Sequence, residues 1–237
     1  MRVEVHFAYD KIADSIFNGS VVIMVDVLRA STSIITAIKN GAEKIIPAGD
    51  PGEAASFAAK LGFRDCLLAG ERGGLKLPGF DLGNSPLEYT QEKVKGRTII
   101  LSTTNGTNAI NKARAARFLL IGGLVNRTAA AKTAIEKGCD VLILCAGTDG
   151  QFSADDVLTA GALIDAISAV DPHLETNDLG LVSCMVYSNW LEGKADISLT
   201  HHYSRLIKLG FEKDVAFCFS VDSTDVVPRY SEGVIVR

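Results

Sequence analysis

Residues able to do chemistry gather directly behind three short apolar runs. Val21–Val25 lead into Asp26, with Arg29 three positions on and then Ser31, Thr32 and Ser33. Thr98–Leu101 lead into Ser102, Thr103, Thr104, Asn105, Gly106 and Thr107. Val141–Cys145 lead into Ala146, Gly147, Thr148, Asp149 and Gly150. Open α/β sheets take ligands at the carboxyl ends of their strands. Hydroxyls and free backbone N–H groups at helix starts favour anions. The pattern predicts a site for a small, highly charged molecule.

Each cluster has a functional and a bland reading. Asp26 stands one residue beyond a fully apolar strand, where an unpaired carboxylate is costly. It is a Mg²⁺ ligand or a nucleophile, or else a capping residue paired with Arg29. Arg29 has the fork geometry that grips phosphate, sulfonate or carboxylate oxygens. Ser31 and Thr32 mark a helix start, but a cap needs one hydroxyl and three stand in a row. In Ser102–Thr107, Gly106 lets the backbone approach a ligand closely. A loop over Gly70-Glu71-Arg72-Gly73-Gly74 offers Arg72 as an anion clamp and Glu71 as its orienter or a metal ligand. Asn84 and Ser85 lie in a tight turn that places Pro86 first in a helix. Asp155 and Asp156 open a helix, where acids suit the dipole; paired carboxylates at a strand's end also suit Mg²⁺.

Other signatures fail. No Walker A loop occurs. The residue two after Asp26 is Leu28, not the second aspartate that haloacid-dehalogenase-type phosphatases need. Cys66 and Arg72 have cysteine-phosphatase spacing, but Leu67 and Leu68 continue a strand between them. Cys145 reads as a small residue facing the site rather than a nucleophile. His201 and His202 diverge by ~100° on a helix, so one can reach the site as acid or base while the other stays outside.

The elements that must position these residues alternate. Strands are expected at Arg2–Phe7, Val21–Val25, Lys44–Pro47, Cys66–Ala69, Thr98–Leu101, Phe118–Ile121 and Val141–Cys145. Helices are expected at Ser33–Asn40, Gly52–Leu61, Thr107–Ala115, Arg127–Lys137 and Ala154–Ala169. This predicts an α/β fold, mainly a parallel sheet with helices on both faces. Beyond Pro172 the pattern changes, with a helix at Thr200–Leu209 and strands at Asp214–Ser220 and Gly233–Val236. Residues 1–237 read as one unit; a division near 171 would leave a core of 1–170 and a C-terminal α+β portion of 171–237, either a subdomain or a return to the sheet edge.

At 237 residues, 47% hydrophobic and 22% charged, the chain can bury a large core. A net charge of −4 without basic blocks argues against nucleic acid. No apolar run approaches the ~20 residues that span a bilayer. Five scattered cysteines fit reduced thiols in a cytoplasmic protein. The N-terminus lacks the apolar stretch of a signal peptide.

Taken in order, Val25–Thr32, Gly70–Gly74, Leu82–Pro86, Ser102–Thr107 and Cys145–Gly147 resemble the 2-phosphosulfolactate phosphatase family. The likeness continues through Ser153–Gly161, Leu209–Phe211, Asp214–Cys218 and Val227-Pro228, and so covers essentially the whole chain. One departure is Asp155-Asp156 after Ala154, where the family usually carries Glu-Asp after an apolar residue; the first carboxylate is one methylene shorter. The resemblance implies Mg²⁺-dependent hydrolysis of (2R)-2-phospho-3-sulfolactate, a step toward coenzyme M, and a homodimer. Asp26, with Asp155 or Asp156, would hold the ion. Arg29, Glu71 and Arg72 would act on the polyanion, with Ser31, Thr32, Asn84, Ser85, Ser102–Thr107 and Cys145 around it. Three rivals stand beside this reading. They are a non-catalytic carrier of small anions, a phosphatase for another 2-phospho hydroxy acid, and a phosphosugar isomerase.

Overall fold

Short runs of β-branched and aliphatic residues become strands, and the stretches between them become helices. The computed structural model describes residues 1–9 and 12–237. Its elements run β1 (Arg2–His6), β2 (Val21–Val25), α1 (Ala30–Lys39), β3 (Lys44–Pro47), α2 (Pro51–Leu61), β4 (Cys66–Arg72) and β5 (Leu75–Lys76). There follow α3 (Gln91–Val94), β6 (Thr98–Ser102), α4 (Gly106–Lys112), β7 (Phe118–Gly122), α5 (Arg127–Ile135), β8 (Val141–Cys145) and α6 (Ala154–Ser168). The C-terminal part holds β9 (Glu175–Thr176), α7 (Asp178–Leu191), α8 (His201–Lys208), α9 (Glu212–Cys218), β10 (Arg229–Ser231) and β11 (Val234–Val236).

The strands form one sheet in the order β5-β4-β6-β3-β11-β10-β7-β2-β8-β1-β9. Pairing is parallel except at β5 and at the β10–β11 hairpin. The chain therefore returns to the middle of the sheet, where the hairpin joins two parallel halves. Side chains of β2 alternate between two cores. Val21, Ile23 and Val25 pack with Ala130 and Ala134 of α5 and Ala160 and Leu163 of α6. Val22 and Met24 pack with Ile34 and Ile35 of α1 and Ile110 of α4. Each fully buried aliphatic side chain of this kind contributes roughly 1.5–3 kcal/mol. Helices on both faces explain why the strands are apolar throughout.

Helix α4 touches both β2 and β3. These strands stand four places apart in the sheet. In a flat sheet they would be about 19 Å apart, too far for one short helix to reach both. The sheet is therefore coiled around α1 and α4, and this brings the carboxyl end of β2 to the carboxyl end of β6. Above those ends, Leu206 of α8 and Val215 and Cys218 of α9 pack on Val27, Leu28, Leu124, Leu158 and Tyr187. The last helices thus roof the edge where a ligand is expected.

Three segments differ from the sequence expectation. Asp214–Ser220 is not a strand but lies largely in α9. Its run of aromatic and aliphatic residues looks extended, yet Phe211, Val215, Cys218 and Phe219 fall on one helical face against the roof cluster. Helix α7 carries no recognisable amphipathic signal because its polarity is inverted. Small Gly180 and Ser183 face inward with Tyr187, while Leu181, Val182 and Met185 are exposed. A Cβ on Gly161 of α6 would come 2.1 Å from the Ser183 carbonyl oxygen, so α6 and α7 pack backbone to backbone. Finally, β4 continues through Arg72 and turns back into β5 at Gly73-Gly74, whose positive φ angles of 64° and 87° suit a two-residue hairpin.

Candidate active site

The floor of the cleft begins at Asp26. Its backbone N–H donates to Ser31 Oγ at 2.8 Å, and Ala30 N–H donates to Oδ1 at 3.2 Å. Among the described residues Oδ2 accepts no hydrogen bond. It lies instead against α4, where a Cβ on Gly106 would sit 2.7 Å from it and 2.6 Å from Ala30 Cβ. Only glycine allows α4 to start so close to the carboxylate. Burial pushes the Asp26 pKa up to about 6; His202 and the Ala30 N–H oppose the rise, and the charges of Glu71 and Asp155 add to it.

Most hydroxyls of the floor serve the backbone. Ser31 Oγ reaches back to the Met24 carbonyl, Thr32 Oγ1 donates to the Val27 carbonyl, and Ser33 Oγ to the Asn84 carbonyl. Thr103 and Thr107 cap each other reciprocally, each hydroxyl accepting the other's N–H. Glu71 joins two loops, accepting from Thr104 N–H at 2.8 Å and Gly74 N–H at 2.7 Å. Two polar atoms are left over. Thr104 Oγ1 and Asn84 Oδ1 are buried without a partner among the described residues. Both residues line a cleft that also holds Asp26, Arg29, Glu71, Asn105, Thr148, Asp149, His202 and Arg205. Buried polar groups are normally satisfied, so these two mark where a ligand would bond.

The roof is held by a charged hub. Arg29 is 2% exposed and donates to Asp214 Oδ2 at 2.7 Å and to the Gly74 carbonyl at 2.6 Å. Its guanidinium lies 4.0 Å from the centre of the Phe211 ring. Ser85 Oγ donates to the other Asp214 oxygen at 2.7 Å. The partner of Arg29 is thus Asp214, not Asp26. Behind α8, His202 Nδ1 stands 3.1 Å from Asp155 Oδ2 and 3.2 Å from Thr148 Oγ1, while Ser153 Oγ donates to Asp155 Oδ1. Burial works against a charged His202, but the hydrogen bond and charge of Asp155, with Asp26 adding, outweigh it and raise the pKa. Asp156 takes Val27 N–H on one oxygen at 2.9 Å and Gly147 N–H on the other at 3.0 Å, tying the ends of β2 and β8 together. Burial raises its pKa, and the Asp155 and Asp26 charges add to that.

Of the residues expected at the site, Asp26, Arg29, Glu71, Asn84, Thr104 and Asn105 come together in the cleft lining. Ser31, Thr32, Ser102, Thr103, Gly106 and Thr107 lie just beneath it and build the loops. Arg72 is turned toward Ser102, donating to its carbonyl and hydroxyl oxygens, and is not part of the lining. Cys145 lies in the core between β8, α5 and α6, and burial raises its thiol pKa well above the usual range. Of the two adjacent histidines, His202 is the one that reaches the site, while Arg205, Asp149 and Asp214 belong to it without having been given a role from the sequence. The spacing of His202 and Arg205, three apart, was the available signal, since it puts both on one helix face.

Among the described residues no group of three or more His, Cys, Asp or Glu side chains could hold a metal alone. Both oxygens of Asp155 and of Asp156 are engaged as above. On the floor of the cleft, Asp26 Oδ2 is the carboxylate oxygen that accepts no hydrogen bond among the described residues, and the neutral oxygens of Asn84 and Thr104 stand with it. This all-oxygen set fits Mg²⁺, which binds through one or two carboxylates and completes its shell with waters and substrate oxygens.

Comparison with known proteins agrees with the geometry. The family model described as 2-phosphosulpholactate phosphatase matches residues 6–233. A probable 2-phosphosulfolactate phosphatase of Caldanaerobacter subterraneus is 40% identical over 236 residues, covering 99% of this chain and 98% of the relative. One of Symbiobacterium thermophilum is 41% identical over 219 residues, covering 92% and 94%. One of Clostridium acetobutylicum is 37% identical over the full length of both chains. Five loops expected from the sequence, a cleft with unsatisfied buried oxygens, and a match along nearly the whole chain converge: this protein belongs to the 2-phosphosulpholactate phosphatase family.

Proposed function

We propose that the protein hydrolyses (2R)-2-phospho-3-sulfolactate to (2R)-3-sulfolactate and phosphate, with Mg²⁺, as a step toward coenzyme M. The observation that carries the reading is the charge balance of the cleft. Asp26, Glu71 and Asp149 stand against Arg29, Arg205 and His202. A ligand bearing phosphate, sulfonate and carboxylate meets no net positive field there unless a cation joins it. Asp26 Oδ2, Asn84 and Thr104 are the residues that would hold Mg²⁺ beside the phosphoryl group. When bound, the ion supplies charge neutralisation and alignment for in-line displacement. Arg205 and the Arg29 hub would grip the acid groups of the three-carbon frame, and Thr104 Oγ1 would donate to a phosphoryl oxygen. Glu71 keeps the Thr104 and Gly74 backbones in place.

A homodimer in the cytoplasm is part of this reading. The exposed Leu181, Val182 and Met185 on α7 make an apolar face that a second copy would cover. Among the described residues no helix is long and apolar enough to cross a membrane.

The test is phosphate release from a panel of 2-phospho acids with and without the sulfonate. Turnover of the sulfonated ester that EDTA abolishes and Mg²⁺ restores is the expected result. Binding without turnover would replace this reading with an anion carrier. Equal rates without the sulfonate would replace the substrate with another 2-phospho hydroxy acid.

A further inference from the structure

The roof carries a histidine whose placement has a chemical consequence. His202 lines the same cleft as Asp26. Its Nδ1 is occupied by Asp155 at 3.1 Å and Thr148 at 3.2 Å. Asp155 is 1% exposed, and its second oxygen accepts from Ser153 Oγ. A buried carboxylate anchored on both oxygens accepts the Nδ1 proton and holds the ring in one orientation. Nε2 has no hydrogen bond among the described residues. The neighbouring His201 is exposed and has no carboxylate partner among the described residues. An anchored acid, an oriented ring and a free Nε2 beside a ligand cleft are the parts of a proton donor.

We infer that His202, oriented by Asp155, gives the Nε2 proton to the ester oxygen as it leaves phosphorus. The inference rests on the phosphatase reading above. In the step, water forms a new P–O bond while the ester P–O bond breaks. The electron pair of the broken bond stays on the alkoxide oxygen, and the Nε2 proton neutralises it. The proton that water loses on attack makes good the one His202 gave, so imidazole returns to imidazolium. An aliphatic alkoxide is a poor leaving group, so the donor matters most for esters of weakly acidic alcohols. Asp155 acts through His202 and is a positioning residue.

Leaving-group dependence tests this. The pair is 2-phospholactate and its 3,3,3-trifluoro counterpart, equal in charge and similar in size but with a far more acidic alcohol in the second. In the Mg²⁺-supplied full-length enzyme, His202→Gln should lower kcat for the first about 10²–10⁴-fold, the usual worth of a general acid, and for the second less than about tenfold. For the sulfonated ester the same variant should lose kcat with KM little changed. Asp155→Asn should follow the same ordering with a smaller loss, and His201→Gln should match wild type. Equal losses of His202→Gln on both esters, or a loss confined to KM, overturn the assignment while leaving the phosphatase reading intact. A wild-type enzyme inert toward every 2-phospho acid removes that reading, and the role of His202 with it.

Discussion

The loops behind β2 and β6 and the helices α8 and α9 face each other across one cleft, and they reach it by different means. The floor is made of short polar residues within a few positions of a strand end. Nearly all its hydroxyls are consumed in shaping the backbone, and what it presents to a ligand is Asp26, Thr104 and Asn84. The roof is made of long side chains on helices packed through Leu206, Val215 and Cys218. It presents Arg205 and His202, and it sends Asp214 down to clasp Arg29. The floor thus carries the carboxylate and the unpaired neutral oxygens, while the roof carries cations and is fastened by one buried ion pair.

The largest effect that sharpens this contrast is expected on the floor. Asp26→Asn should lower phosphate release by about 10³-fold or more, since it removes the unpaired carboxylate of the floor, while the circular dichroism spectrum stays native. Wild-type-like turnover would take Asp26 out of the mechanism. Next comes the fastening of the roof. Asp214→Ala leaves Arg29 buried without its counter-ion and should cost about 3–5 kcal/mol, read as a lower urea midpoint; a loss below about 1 kcal/mol would mean that the hub is not what holds α9 down.

The same Asp26 should reveal a penalty for function. A buried acid with a raised pKa binds its proton more tightly folded than unfolded, so stability falls as pH rises from the ordinary value of 3.8 through about 6. In metal-free protein, Asp26→Asn should therefore raise stability above pH 6.5 by on the order of 2–3 kcal/mol, with no gain near pH 3.5. A melting-temperature series against pH checks this, and a gain of equal size at both ends would refute it. The smallest effect belongs to the roof's half-buried cation. Arg205→Ala should raise KM about tenfold, as expected for a charged hydrogen bond, and leave the melting temperature within a degree or two. An unchanged KM would put the acid groups of the substrate elsewhere.

Much of this was legible in the chain. Strand ends, helix starts and the residues behind them follow from local rules, because apolar runs, glycines and capping residues act within a few positions. Asp26, Glu71, Asn84 and Thr104 were visible for that reason. The roof was not. The segment that became α9 reads as extended because its aromatic residues favour strands when nothing packs on them. Helix α7 hides its inward face in glycine and serine, which carry no hydrophobic signal.

The sequence by itself determined an α/β layout, the loops that would carry chemistry and the family to which they belong, since each depends on neighbours in the chain. Only the tertiary structure decided which of the many hydroxyls were left unpaired, that Arg29 answers to Asp214 across 185 positions, and which of two adjacent histidines enters the cleft. Those outcomes depend on how a sheet coils and where its last helices come to rest. They are set by burial and by hydrogen-bond partners far away in the chain, which no local pattern records.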